Sequence, residues 1–187
     1  MIFRNQKGLT LIETILAVAI LVIVLPVLIL SLIRLNKESA YFNVRQRIDN
    51  SLSLILSDLS TELTSAQSVK VSTSTWGINP SIFSFVDKNG AMVTIDCPTA
   101  TIPLSGGDQI IHRLRLQRGA GETVWLTDFD IDVTNWTAQV VRDSSSDLTG
   151  IRLQITLAMA NKNNLAFQNA DSIIDFTIAV PSSVQEL

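Results

Sequence analysis

"KGLTLIETILAVAILVIVLPVLILSLI", Lys7 to Ile33, is the stretch on which the fold turns. From Leu9 to Ile33 it holds 25 residues without Lys, Arg or Asp, and a single acid, Glu13. As a helix rising about 1.5 Å per residue it spans roughly 37 Å, more than the ~30 Å hydrocarbon core of a bilayer. It is longer than the apolar run of an ordinary signal peptide, and no small-residue cleavage site follows it. "SLIRLNKES" follows instead and continues a helical pattern. The reading is a membrane-spanning helix. Pro26 lies inside it, removes one helical hydrogen bond and crowds the preceding turn, so a weak point is expected there. Glu13 is the anomaly: a carboxylate in hydrocarbon is costly, and an ionisable residue at that depth marks a functional position by default.

The flanks leave the orientation open. Arg4 and Lys7 precede the span, and Arg34, Lys37, Arg45 and Arg47 follow it, so the positive-inside count does not decide which end stays in the cytoplasm. After Ile33 the pattern changes from apolar all round to striped. Leu35, Phe42, Val44, Ile48, Leu52, Ile55, Leu59, Leu63 and Ala66 recur mostly at spacings of three and four, which is one helix face. No Gly or Pro interrupts residues 31–67. One helix from about Leu9 to Ser68 is expected, roughly 90 Å long, with its second half burying one face on a sheet. The spacing keeps no strict heptad, which argues against a free coiled coil.

From Val69 onward, Thr, Ser, Asn, Asp and β-branched residues with apolar alternation predict strands. "SIFSFVDKNGAMVTID" reads as a hairpin turning at Asn89-Gly90. "QIIHRLRLQ" reads as a strand with Ile110, His112, Leu114 and Leu116 on one face. "TATIPLSGGD" reads as a loop. In "GIRLQITLAMA" the residues Ile151, Leu153, Ile155 and Leu157 face one way, and "SIIDFTIAV" closes the domain before Pro181. The sum is an α+β fold: a long N-terminal helix on a meandering antiparallel sheet with one wet face.

Composition narrows the function. The 187 residues suit one moderate domain plus an appendage. The formal charge of −3 and pI of about 5.1 do not favour nucleic acid or anionic lipid. One cysteine, Cys97, permits no intrachain disulfide, and one histidine, His112, permits no His-rich metal site. No nucleophile elbow, phosphate-binding loop, zinc spacing or kinase signature is present, so an enzyme is not expected and no cofactor is implied. Asp128, Asp130 and Asp132 would project from one strand face, where calcium could relieve their repulsion; a solvated strand face is the simpler reading. "DSSSD", Asp143 to Asp147, is a weaker candidate of the same kind. His112, Arg113, Arg115 and Arg118 form a basic cluster that could meet phosphates, and Trp76, Trp125 and Trp136 could anchor a partner. A wet strand face and sheet packing are the plainer readings of these two sets.

"KGLTLIE" resembles the processing site of a type IV prepilin: a short basic leader ending in Gly, a hydrophobic residue next, and Glu fifth after the cut. The resemblance implies a leader over 1–8, "MIFRNQKG", with cleavage between Gly8 and Leu9 by a prepilin peptidase and N-methylation of Leu9. Phe is commonest at that position in the family, and Leu9 departs from it. The resemblance also implies that 9–33 is first a membrane span and then a filament core, with 34–68 the amphipathic second half of the helix and 69–187 a β-rich domain outside the cytoplasmic membrane. Glu13 would pair with the amino terminus of a neighbouring subunit and set its register. The order of the later pieces, "LTDFDIDV", "LTGIRLQITLAM" and "FTIAVP", loosely resembles the J-type minor pseudopilins and related minor pilins. The expected partners are the peptidase, other pilin or pseudopilin subunits, the inner-membrane assembly platform and, before assembly, membrane lipid. Nucleic acid would enter only in a competence system. A minor subunit of a type IV pilus, type II secretion pseudopilus or competence pilus is the leading expectation; a major pilin, or a membrane-anchored adhesin or DNA-binding module that never polymerises, stands as the alternative.

Overall fold

A computed structural model describes residues 10–104, 106–145, 147–161, 165 and 169–180 and the backbone of 185–186. The chain divides between Ala40 and Tyr41 into two compact units. Helix α1, Leu11–Thr64, contributes to both. In the first unit every residue from Thr10 to Ser39 is exposed, although the most apolar 18-residue stretch of the helix reaches a mean hydropathy of 3.3. Its length and composition suffice to cross a bilayer. The helix runs through Pro26 without a break.

In the second unit α1 buries Ile48, Ser51, Leu52, Ile55, Leu59 and Leu63, spaced by one, three or four residues. The expected stripe therefore starts later than its apolar letters suggest. Leu35 and Phe42 are exposed, Phe42 to 72%. At 3.6 residues per turn they sit roughly 140° and 120° away from the direction of Ile48, whereas Tyr41 and Val44 are in phase and pack on the core. The helix also ends at Thr64 rather than Ser68. Ala66 N–H turns back to the Leu63 carbonyl at 3.2 Å, and Gln67 N–H is taken by Val86 O at 2.8 Å, so sheet pairing wins over a further helical turn.

The strands form three sheets where the sequence predicted one meander. The largest is built from β1 (Ser68–Val69), β2 (Phe83–Val86), β3 (Met92–Asp96), β6 (Arg115–Arg118), β7 (Glu122–Trp125) and β11 (Gln185–Glu186), in the order β11-β1-β2-β3-β6-β7. Only β11 and β1 run parallel. Because β11 follows Pro181, "SIIDFTIAV" is not the last strand. The second sheet has the order β10-β9-β8, from β8 (Ile131–Arg142), β9 (Leu148–Met159) and β10 (Asp171–Ala179). The third is the hairpin of β4 (Thr99–Leu104) and β5 (Gly107–His112). "TATIPLSGGD" is thus mostly strand rather than loop; Pro103 is accommodated because β4 has a single neighbour and can spare an N–H.

"QIIHRLRLQ" is not one strand either. It breaks after His112, and Arg113 N–H bonds to Pro98 O at 3.0 Å. The break lets each half choose its own sheet. Ile111, not Ile110, is buried in β5; Ile110 is 69% exposed, and His112 is exposed rather than on an apolar face. The hairpin of β2 and β3 is as predicted: Gly90 takes a positive φ of 80°, and Asp87 Oδ1 accepts from Asn89 N–H at 2.8 Å and Ala91 N–H at 2.9 Å. The N–H of Ala91, with that of Asn89, holds the Asp87 carboxyl below the usual carboxylate range. Ile151, Leu153, Ile155 and Leu157 share the buried face of β9 as expected.

One edge of the second sheet is closed by a short covering segment, residues 77–81. Gly77 N–H donates to Ala138 O at 2.8 Å and Ser81 N–H to Trp136 O at 3.0 Å. Ala138 N–H returns a bond to Ser81 Oγ at 3.0 Å, and Trp136 Nε1–H reaches Ser81 O at 2.8 Å. Trp136 is fully buried, as are Phe83 and Phe85, whose rings stack 5.4 Å apart.

Two consequences can be measured. Leu59→Ala, at the centre of the buried stripe, is expected to cost about 2–5 kcal/mol, and Leu54→Ala, on the exposed side, less than about 0.5 kcal/mol, in urea unfolding of the full chain in detergent followed by near-UV circular dichroism. Asp87→Ala is expected to destabilise the chain by about 1–2 kcal/mol at neutral pH. The folded pKa of Asp87 is depressed, so its contribution is present above the ordinary carboxyl value near 3.8 and disappears as pH falls through the folded value; the two proteins should converge in stability in that acid range.

Candidate functional site at the start of the helix

Residues 10–13, "TLIE", open α1. Thr10 precedes the first helical residue and Glu13 is the third within it. Both the backbone N–H and the Oγ1–H of Thr10 donate to Glu13 Oε2, each at 2.9 Å, and Glu13 N–H points back to Thr10 Oγ1 at 3.4 Å. Thr14 N–H donates to Thr10 O at 3.2 Å, the first bond of the helical ladder. This is a capping box: side chains at the two ends of the first turn satisfy donors that the helix itself leaves free. A carboxylate there also complements the positive end of the helix dipole. Glu13 Oε1 has no hydrogen bond among the described residues. The pattern T-x-x-E before an apolar run is legible in sequence and marks the start of the helix. Gly8 and Leu9, the expected cleavage and methylation positions, lie outside the described residues. Pro26 is on the exposed helix, remote in sequence from this turn.

The other candidates resolve into structure. Asp128, Asp130 and Asp132 do not share a strand face: Asp128 and Asp130 lie in the connection before β8, and only Asp132 is in the strand. Two of the three carboxylates have partners in the fold. Asp130 Oδ1 accepts from Arg47 Nη2 at 2.8 Å, and Asp132 Oδ1 from His112 N–H at 2.8 Å. Among the described residues no three metal-binding side chains converge. In "DSSSD", Asp143 Oδ1 accepts from Ser145 and Asp147 N–H and shapes the turn.

The basic cluster is likewise engaged. Arg115 forms a forked pair with Asp96 at 2.9 and 2.5 Å, which holds its guanidinium above the ordinary value. Arg118 pairs with Glu62 of α1 and with Glu122. Arg113 donates to Thr127 O at 2.7 Å and lies 4.5 Å over the Trp125 ring. Trp76 and Trp136 serve packing, Trp76 with its ring 5.5 Å from that of Phe83. Trp125 stays 41% exposed. Cys97 is buried, and that burial, reinforced by Asp132 and Asp96, pushes its thiol up to about 12.

Residues 3–25 match the family described as the prokaryotic N-terminal methylation motif. The match takes in Gly8, Leu9 and Glu13 and ends one residue before Pro26. No curated protein and no solved structure matches the chain. The motif, joined to one long apolar helix and antiparallel sheets, supports a membrane-anchored subunit of the type IV pilin-like class.

The thiol offers a check on this local environment. The Cys97 pKa is raised in the folded chain from an ordinary 9.0 to about 12, so folding is unpenalised below about pH 9 and loses stability as pH rises from there to about 12. Iodoacetamide at pH 8 should leave Cys97 unmodified in the folded protein and label it fully in urea, as read by intact mass.

Proposed function

We propose that this chain is a minor pilin or pseudopilin, a structural rather than enzymatic subunit of a type IV-family filament. The observation that carries this reading is continuity. The matched motif at 3–25 runs straight into a helix whose residues 10–39 are all exposed, and the same helix is buried from Ile48 in a β-rich unit. An apolar helix exposed over 10–39 fits lipid before assembly and neighbouring helices after it.

In this reading a prepilin peptidase cuts between Gly8 and Leu9 on the cytoplasmic side, and the new amino group of Leu9 is methylated. The β unit lies outside the membrane, where other subunits and an assembly platform meet it. Thr10 holds one oxygen of Glu13 and leaves Oε1 free for the amino terminus of the next subunit. An unpaired charge in an apolar bundle is penalised heavily and a paired one far less, so the pair would fix the axial register of incoming subunits. The single cysteine favours a minor over a major subunit, because many major pilins close a C-terminal loop with a disulfide.

The reading is tested by intact mass and N-terminal sequencing of the membrane-extracted chain, expressed with and without a prepilin peptidase. A mature chain beginning at Leu9 with one extra methyl group is expected. A chain still beginning at Met1 beside active peptidase would overturn it. Glu13→Ala should leave membrane insertion intact and abolish incorporation into sheared filaments; incorporation at the unmodified level would remove Glu13 from this role.

A further inference from the structure

The largest sheet ends at β7, and among the described residues nothing covers that edge. Leu126 N–H donates to Leu114 O at 2.9 Å. The alternation of an antiparallel ladder therefore turns the backbone of Val124 towards Leu116 and that of Thr123 and Trp125 outwards. Among the described residues nothing bonds those outward N–H and C=O groups, and all four residues of β7 are exposed. Exposed edges are ordinarily blunted by Lys, Pro, a bulge or a covering segment. The edge of β8 has such a segment in residues 77–81. Among the described residues β7 has no Lys, Pro, bulge or covering segment; its shortness, four residues, and Glu122 are its only protection there, and its Thr123, Val124 and Trp125 all favour extended chain.

Beside this edge lies a hollow of about 260 Å³. Asp58, Thr61 and Glu62 of α1 line it together with Leu116, Val124, Leu126 and Arg118, the last already paired with Glu62 and Glu122. Leu54, one helical turn before Asp58 on the same face, is 64% exposed. The charge is one-sided: Asp58, Glu62 and Glu122 stand against Arg118 alone, a surplus of two negative charges. Asp58 has no ion pair among the described residues.

We infer that β7 is a docking edge for an extended segment of a partner protein in which Lys or Arg alternates with apolar residues. Added beside β7, the segment would bond the outward groups of Thr123 and Trp125. Its side chains would fall alternately to the two faces. On the hollow side a lining of apolar and acidic residues suits the long stem and charged head of Lys or Arg. On the other side Arg113 already covers Trp125 and repels a further cation, so that face takes apolar residues. A second copy of this chain is disfavoured, because β7 against β7 would set Asp58, Glu62 and Glu122 against their own duplicates. This inference is independent of the filament reading.

The probe is a labelled octapeptide alternating Lys and Val, with a Glu–Val octapeptide as control, added to the full chain in detergent. Binding is read by fluorescence anisotropy and by hydrogen exchange over residues 122–126. The Lys–Val peptide is expected to bind, to slow exchange at Thr123 and Trp125, and to exceed the Glu–Val peptide by about tenfold or more in affinity. Asp58→Lys should weaken it by about tenfold. Thr123→Pro, which deletes an outward N–H at an edge where Pro is tolerated, should abolish the protection while near-UV circular dichroism stays unchanged. Absence of binding at millimolar peptide, equal binding of both peptides, or unaltered exchange over 122–126 overturns the inference. Protection that grows with protein concentration without peptide overturns it in favour of a second copy.

Discussion

One helix has to satisfy two surroundings, and the rest of the molecule follows from that. Between Thr10 and Ser39 every residue is exposed; from Ile48 to Leu63 one face is sealed. A helix can do both because its backbone bonds close internally and ask nothing of the medium. The sealed face supplies the apolar burial on which the β-rich unit is built, with Ile48, Ile55 and Leu59 fully buried. Two ion pairs flank it, Arg47 with Asp130 and Glu62 with Arg118. Half-exposed pairs of this kind contribute little free energy. They lie fifteen residues, roughly 22 Å, apart along α1, one near each end of the sealed face.

The first turn handles a conflict of a different sort. An acid in an apolar run is expensive unless something receives it, and Thr10 does so within the same turn. The carboxylate thus has a standing local partner that does not depend on any neighbour. Its second oxygen keeps the capacity for one more bond. A residue that looks like a defect in a membrane segment is, locally, a well-formed helix start.

Much of this was legible in the sequence, and what was not shares a cause. The apolar run, the acid within it, the Asn89-Gly90 turn and the parity of β9 all depend on near neighbours in the chain. Parity in "QIIHRLRLQ" does not, because Ile110 and Ile111 are adjacent and either could face inward; the choice falls to the small cluster of Ile102, Leu104 and Ala160 that buries Ile111. The phase of the helical stripe was misread at Leu35 and Phe42 because apolar letters continue past the point where the sheets begin. The Asp128–Asp132 trio and the arginines looked like open charge because their partners are distant: Asp130 bonds a residue 83 positions away, and Arg118 one 56 away. The capping box was different. It is a four-residue pattern carried by near neighbours in the chain, and Glu13 serves both it and the apolar run.

The segment 77–81 has a consequence for crowding. A sheet with both flanks open can act as a link in an endless stack, each copy handing its ladder to the next, as in cross-β fibres. With Ser81 and Gly77 occupying one flank of β8, that three-stranded sheet can be extended on at most one side. Copies meeting at high local density would otherwise be able to extend one another's sheets without limit. A five-residue stopper makes this sheet a terminus instead of a link.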